Sequence, residues 1–370
     1  MIENILADFN INSKVISTER YGNGIINETY LVRTCGNGSK VKYILRKINS
    51  YVFSNPAIVV DNTVKTIQHI SNKLQKQDNK KISDYVFQIV ETKDGNYYKT
   101  DDDNNYWCLL TFIENSYTIE IVENKEQAYQ AAKTFGRFQR LLFDADINDF
   151  QPTIPNFHNL KNRLLTFEKA IKDDIVQRVK TAEEELLRIN TYKYLQKEFS
   201  NILNETKLPK RITHNDAKIN NVLLNKLTDK GQCVIDLDTV MPGYILYDFG
   251  DMVRSFTNPK PEDIQDINKV TMRIEIFESL AKGYLEELGG LLTKSEIKYL
   301  TLGAVLITLE QSIRYLTDYL IGDKYYTINF SNQNLIRART QLKLLDSIIE
   351  QKEEMRKIVE KTVEFYTKEL

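Results

Sequence analysis

The segment RITHNDAKINNVLLN carries three polar side chains at fixed spacing: His214, Asp216 and Asn221. Twenty residues past Asp216 a short apolar run, CVIDLDTV, holds a further carboxylate, Asp236. Ile212-Thr213 reads as the end of one strand and Asn221-Val222-Leu223-Leu224 as the start of another. Thr228-Asp229-Lys230-Gly231 then turns the chain into Cys233-Val234-Ile235-Asp236. A hairpin of this kind brings Asp216, Asn221 and Asp236 to one end of a sheet. A lone Asp in a polar turn is usually a turn residue or a helix cap. A His-x-Asp loop with Asn five positions on, followed by Asp in the next hairpin strand, is instead the set of parts that phosphoryl transfer needs. Asp216 accepts the proton of an acceptor hydroxyl, and Asn221 with Asp236 holds Mg²⁺ on the nucleotide phosphates. Magnesium takes hard oxygen ligands, commonly one or two from protein carboxylates, which this pair meets.

The chain is long enough, at 370 residues, for two lobes. With 42% hydrophobic and 27% charged residues it has the make-up of an ordinary globular protein with a substantial core. A net charge of −1 gives no global pull toward nucleic acid. Cys35, Cys108 and Cys233 are far apart and form no CxxC pair, which fits a reducing compartment better than disulfides or a thiolate metal site. The start, MIENILADFNI, lacks the basic and apolar regions of a signal peptide, and no apolar run reaches membrane-spanning length. The expectation is a cytoplasmic protein with no nucleic-acid or membrane partner; the oligomeric state is left open.

Residues 15 to 113 read as strands with turn punctuation. VISTERY, INETYLVRT and KVKYILRKI are β-rich, split at Gly22-Asn23-Gly24 and Gly36-Asn37-Gly38. A helix follows Pro56, from about 58 to 76, and then the strand candidates YVFQIV and YWCLLTFI, with a turn at Asp94-Gly95. After Asn115 the helical period takes over, as in KEQAYQAAKTFGRFQRLL. Two helices are expected over 157 to 204, and long ones at about 262 to 288, 294 to 320 and 332 to 368. Charged runs near 77 to 81 and at Asp101-Asp102-Asp103 read as exposed loops. The expected fold is α+β and bilobed, protein-kinase-like, with a small antiparallel-sheet N-lobe (1–115) and a larger, mainly helical C-lobe (116–370).

Other motifs join this frame. Gly22 and Gly24, with Asn27 where a final glycine of GxGxxG would stand, suit a backbone that approaches phosphates, although GxG between strands is also a plain hairpin. In YILRKI a cation pairs with phosphates, and Arg46 and Lys47 point to opposite faces. Arg46 is the phosphate ligand if it shares the inward face with Ile44 and Ile48. His214 reads as packed beneath its loop, while His69 and His158 read as surface or core fill. Asp248-Phe249-Gly250 spells a kinase metal motif but lies beyond the hairpin, so Asp248 and Asp251 read as braces for the next helix and the catalytic loop.

These residues resemble the aminoglycoside phosphotransferase and choline kinase superfamily. The segments THNDAKINNVLL, VIDLDTVMPG, LYDFGDMVR, RYLTDYLIGDKYY, NLIRARTQL and GNGIINETYLVRT are similar, more narrowly, to the N-acetylhexosamine 1-kinases of bacterial sugar salvage. The resemblance runs from about residue 20 to 345. It implies ATP and Mg²⁺ between two lobes, and transfer of the γ-phosphoryl group to the anomeric hydroxyl of GlcNAc or GalNAc. It implies Asp216 as base, Asn221 and Asp236 as metal ligands, and Thr239, Arg314 and Tyr325 as sugar contacts, with Asp238 beside substrate or a second metal. For Arg314 the competing reading is a helix-surface pair with Asp318 at i+4. One departure stands out: Val59-Val60-Asp61-Asn62 occupies the place where a kinase-type helix supplies a Glu to the strand cation.

Two rival functions are open. The same chemistry on another sugar, an aminoglycoside, choline or homoserine would show an acidic pocket for a polycation or an aromatic cage for a quaternary ammonium. A nucleotide-binding pseudokinase has little need to retain Asp216, Asn221 and Asp236 together.

Overall fold

The computed structural model describes residues 2–22, 24, 26–36, 39–76 and 82–368. Asn23, Asn37, Gly38 and the charged run at 77 to 81 lie outside these residues.

A short helix, α1 (Ile2–Ala7), precedes strands β1 (Lys14–Arg20), β2 (Glu28–Gly36) and β3 (Ser39–Ile48). Helix α2 (Pro56–Gln75) carries Pro at its start, where the lost N–H has no partner to forgo. Strands β4 (Ile89–Val90), β5 (Lys99–Thr100) and β6 (Tyr106–Thr111) complete an antiparallel sheet of order β1-β2-β3-β6-β4, with β5 also pairing β6. Only Ile89 and Val90 of YVFQIV are extended.

Strand parity divides this sheet. Val32, Leu45, Trp107 and Leu109 face one way and are sealed by Ile5, Leu6 and Phe9 from α1 and its C-terminal end. Ile48, Cys108 and Leu110 face the other way, against Val59, Val60 and Val64 of α2, and join the core that runs through the helical part. Arg46 shares that second face, as its parity with Ile44 and Ile48 requires.

Strand β7 (Ser116–Tyr117) leads to α3 (Lys125–Leu141), capped by the Asn124 side chain on the Gln127 N–H. The region expected to hold two helices holds three: α4 (Leu160–Asp173), α5 (Glu183–Tyr192) and α6 (Tyr194–Thr206). Asp174 ends α4 in a left-handed conformation (φ 35°), which periodicity does not reveal. Then come β8 (Arg211–Thr213), β9 (Val222–Asn225), β10 (Gly231–Val234) and β11 (Met241–Gly243). The hairpin is β9–β10, and β8 pairs instead with β11.

Helix α7 (Ile245–Thr257) follows, then α8 (Ile274–Leu288), α9 (Lys294–Leu320), α10 (Gln333–Glu350) and α11 (Lys352–Lys368). Two expectations are corrected. The helix begins at Ile274 rather than near 262. Arg273 spends its guanidinium on the carbonyls of Val122, Phe256 and Thr257, and Glu262 turns back to Arg254, so the preceding segment is held by tertiary bonds. The expected helix 332 to 368 is two, broken at Gln351, whose side chain reaches Met272 O and Ser347 O. Where α7 crosses α9 the backbones nearly touch: a Cβ at Gly303 would lie 1.9 Å from Leu246 O, and one at Gly250 2.3 Å from the Gly303 carbonyl. Among the described residues no helix is long and apolar enough to cross a membrane.

Candidate active site

The loop after β8 is built from buried polar contacts. His214 is 0% exposed. Its Nδ1 accepts from the Asp216 N–H (3.3 Å), so Nε2 carries the hydrogen given to Ile235 O (2.9 Å). The ring therefore ties the loop to the strand that leads into Asp236, and both nitrogens are occupied. From α7, Asp248 accepts the N–H groups of His214 (2.8 Å) and Asn215 (2.6 Å). Burial pushes the Asp248 carboxyl above its ordinary value, against the His214 ring and these two N–H groups. Asp248 thus braces the loop from within the first turn of α7. Asn215 and Asp236 both take left-handed backbone angles (φ 62°), a strain that persists because its surroundings dictate it.

Asp216 and Asn221 meet directly. Asn221 Nδ2 donates to Asp216 O (2.9 Å) and Oδ2 (3.0 Å). Lys218, which sequence reasoning passed over, donates to the same Oδ2 at 2.8 Å. Burial raises the Asp216 pKa, but Lys218 outweighs it and holds the carboxyl down to about 2. Burial likewise works against the charge of Lys218, and Asp216 with Asp236 more than restores it. The available signal was a cation two positions after the acid on one tight loop.

Arg46 reaches from β3 to the other carboxylates. It donates to Asp236 Oδ1 (2.8 Å) and, through both terminal nitrogens, to Asp238 Oδ1 and Oδ2 (2.9 Å each). Asn27 Nδ2 also donates to Asp238 Oδ2 (2.5 Å). Both oxygens of Asp238 are thus committed. Burial lifts its pKa to about 6 in spite of Arg46. Lys47 faces the other way, 3.6 Å from Glu28 and over the Trp107 ring. Among the described residues no carboxylate of α2 attends Arg46: Asp61 pairs with Lys65, and Asn62 donates to Gln151 O (2.7 Å) and Val240 O (2.8 Å). The counter-ion a helix would give comes here from Asp236 and Asp238.

The oxygens suited to a hard cation are Asn221 Oδ1 and Asp236 Oδ2. Among the described residues neither takes part in a hydrogen bond, since Nδ2 of the first and Oδ1 of the second make those contacts. Among the described residues no cluster of three or more His, Cys, Asp or Glu could hold a metal ion by itself. One carboxylate and one amide oxygen fit Mg²⁺ that completes its shell from phosphate and water.

Gly22 has φ +77°, and a methyl group there would meet nothing within 4 Å, so backbone angle rather than crowding calls for glycine. A methyl group at Gly24 would lie an ordinary 4.0 Å from Asn27 O. Tyr21 N–H bonds Thr29 O to close this turn.

Thr239 donates its hydroxyl to His214 O (2.7 Å), which fixes it under the loop. Arg314 lies among Phe157, Tyr325 and Tyr326, 5.1, 5.7 and 5.6 Å from the ring centres. The competing Arg314–Asp318 pair is overturned. Asp318 instead accepts the N–H groups of Lys324, Tyr325 and Tyr326 (2.7–2.9 Å) and thereby sets the loop that brings both tyrosines to Arg314. Among the described residues no hydrogen bond or ion pair joins Arg314 or Tyr325 to Asp216, Asp236 or Thr239. The link runs through His158, whose Nε2 pairs with Asn215 O (2.9 Å) and whose Nδ1 pairs with Glu310 (3.2 Å). His158 is therefore not fill, and its partner Glu310 lies 152 positions away, out of reach of any local pattern. His69 sits at the surface beside Asp144, as expected.

The phosphotransferase enzyme family matches residues 17–268. The fold is similar to that of ethanolamine kinase from Plasmodium vivax, with 15% identity, a TM-score of 0.53, and coverage of 90% of this chain and 84% of that one. It is similar to choline kinase from Cryptosporidium parvum Iowa II, with 12% identity, a TM-score of 0.57, and coverage of 93% and 92%. A spectinomycin phosphotransferase in complex with ADP and spectinomycin matches at 13% identity and a TM-score of 0.52, over 98% of this chain and 97% of that one.

Proposed function

The chain belongs to the phosphotransferase enzyme family, and on that premise we propose an ATP- and Mg²⁺-dependent kinase that phosphorylates the anomeric hydroxyl of an N-acetylhexosamine. The observation that carries the reading is the convergence of Asp216, Asn221 and Lys218 on one side with Arg46, Asp236 and Asp238 on the other, joined through His214. The cleft runs between the sheet lobe, 1–115, and the helical lobe, 116–370.

Asp216 is ionised at neutral pH and accepts a hydrogen bond from the acceptor hydroxyl. Its pKa of about 2 makes it a weak base, so it orients the hydroxyl first and takes the proton late, as bond formation to phosphorus makes the hydroxyl acidic. Arg46, anchored by two carboxylates, presents fixed positive charge to the phosphates, with Gly22, Gly24 and Asn27 at the turn above. Asn221 and Asp236 hold Mg²⁺, which when bound neutralises charge on the transferred group. Thr239, Arg314 and Tyr325 line the acceptor side.

Substrate class follows from Arg314. The three rings that could cage an ammonium group already enclose this guanidinium, which burial opposes but Tyr326, Tyr325 and Glu310 keep charged. A choline, ethanolamine or aminoglycoside acceptor meets a cation there, whereas sugar hydroxyls and an N-acetyl oxygen meet a donor.

The test is ATP consumption against free N-acetylhexosamines, hexoses, aminoglycosides, choline and homoserine, with the phosphate located by ³¹P NMR. The expected product is a C1 phosphate. Turnover of a cationic acceptor in preference to any sugar would replace this reading. Arg314→Ala should raise the sugar KM by on the order of tenfold with the ATP KM unchanged.

A further inference from the structure

We propose that a second cavity, of about 230 Å³, on the flank of the Asp216 loop binds a phosphate-bearing anion. Its lining includes Lys218, Arg254 and Lys260, with Arg337 and Gln341 from α10.

Glu120 and Asp263 balance Lys260 and Arg337 in number, but none of the four is ion-paired among the described residues, so donors are left facing the cavity. Each carboxylate of the lining is engaged: Glu120 with Asn220, Glu262 with Arg254 and Tyr315, and Asp263 with Gln333. Arg254 is spent on Asp251 and Glu262, and Lys218 on Asp216. Lys260 and Arg337 make no ion pair among the described residues. Arg337 is only 8% exposed, and its hydrogen bonds, to Asn334 Oδ1 (2.9 Å) and Thr327 O (3.4 Å), use Nη1 alone. Nε and Nη2 form the free edge of a planar fork. Beside it, Gln341 is 1% exposed, and its carboxamide makes no hydrogen bond among the described residues.

Burying a guanidinium without a carboxylate, and an amide without a partner, costs stability unless a ligand satisfies both. A phosphate dianion matches the edge of Arg337 in two parallel hydrogen bonds and finds the ammonium of Lys260 beside it. An amide that both donates and accepts suits an attached hydroxylated group. The shared chemistry is that of a phosphate dianion, supplied either as free phosphate or on a phosphorylated sugar.

The cavity also has a route to the Arg314 side. Arg337 lies over Tyr315 (5.6 Å), Tyr315 packs on Tyr326 (4.7 Å), and Arg314 lies over Tyr326 (5.6 Å).

The experiment is calorimetric titration of the nucleotide-free protein at low ionic strength with inorganic phosphate and, separately, with N-acetylglucosamine 1-phosphate. Saturable 1:1 binding of at least one is expected, weakened on the order of tenfold by Arg337→Gln and less by Lys260→Ala. Tighter binding of the sugar phosphate identifies a phosphorylated sugar as the ligand; equal binding identifies free phosphate. Lys260→Ala alters a partly exposed side chain, so it keeps the test valid should Arg337→Gln fold poorly. Absence of saturation, or affinities untouched by Lys260→Ala and by any folded Arg337→Gln, overturns the proposal. Binding of the sugar phosphate as a product beside Asp216 does not involve Lys260 or Arg337, so only the component that these substitutions weaken reports on this cavity.

Discussion

Arg46 donates to Asp236 at 2.8 Å across 190 positions of sequence, and the same guanidinium grips both oxygens of Asp238. Arg46→Met takes the paired cation from Asp236 and leaves Asp238, only 8% exposed at its side chain, without one. Removing one partner of such a buried pair costs about 3–5 kcal/mol. A urea midpoint equal to that of the parent protein would show that the contact carries little energy. Arg46→Lys retains charge but lacks the fork, and should recover stability more than ATP affinity.

Stability should respond to pH with opposite signs at two carboxylates. Asp238, raised to about 6 from 3.8, binds its proton more tightly in the folded chain. Its contribution is fully present below about 4 and is lost as pH rises through about 6. Asp216, lowered to about 2, contributes stability that is present above about 4 and is lost as pH falls through about 2. Urea midpoints measured across this range should show the first limb vanish in Asp238→Asn and the second in Asp216→Asn. In Asp216→Asn the transfer rate should also fall by on the order of 10²–10⁴.

Asp318 holds three consecutive backbone N–H groups and the Asn334 amide. Asp318→Ala strands those donors, at a cost of about 2–4 kcal/mol, and releases the loop that carries Tyr325 and Tyr326. The sugar KM should rise while the ATP KM holds. A parallel rise in both would point to general unfolding of the helical part.

Gly303→Ala should act on the loop from a distance. The added methyl would press on Leu246 O, two positions before Asp248, at the α7–α9 crossing. Overpacking of this kind costs about 1–3 kcal/mol or more. A lower Tm is expected together with a lower kcat, because the Asp248 hydrogen bonds to His214 and Asn215 shift with the helix. A lower Tm with unchanged kcat would separate the two.

What could be read from sequence was what a short stretch determines. His214, Asp216 and Asn221 share one loop, and strand parity alone puts Arg46 and Lys47 on opposite faces. The three-way division of 157 to 204 was hidden because a left-handed Asp174 is as soluble and polar as any helical Asp. The break at Gln351 has no Gly or Pro to announce it and rests on a bond to Met272 O. His158, Glu310 and Arg337 carry no local signature at all. Their meaning comes from partners on other helices, which only the packed chain brings together.

Asn62 has one more implication. It is wholly enclosed, and its carboxamide bolts the helix of the sheet half to Gln151 and Val240 in the other half. Swinging α2 outward would strip every one of those bonds from a group with no water at hand. The two halves are thereby pinned at α2, and outward rotation of that helix as a rigid unit carries the cost of an amide left unsatisfied in the interior.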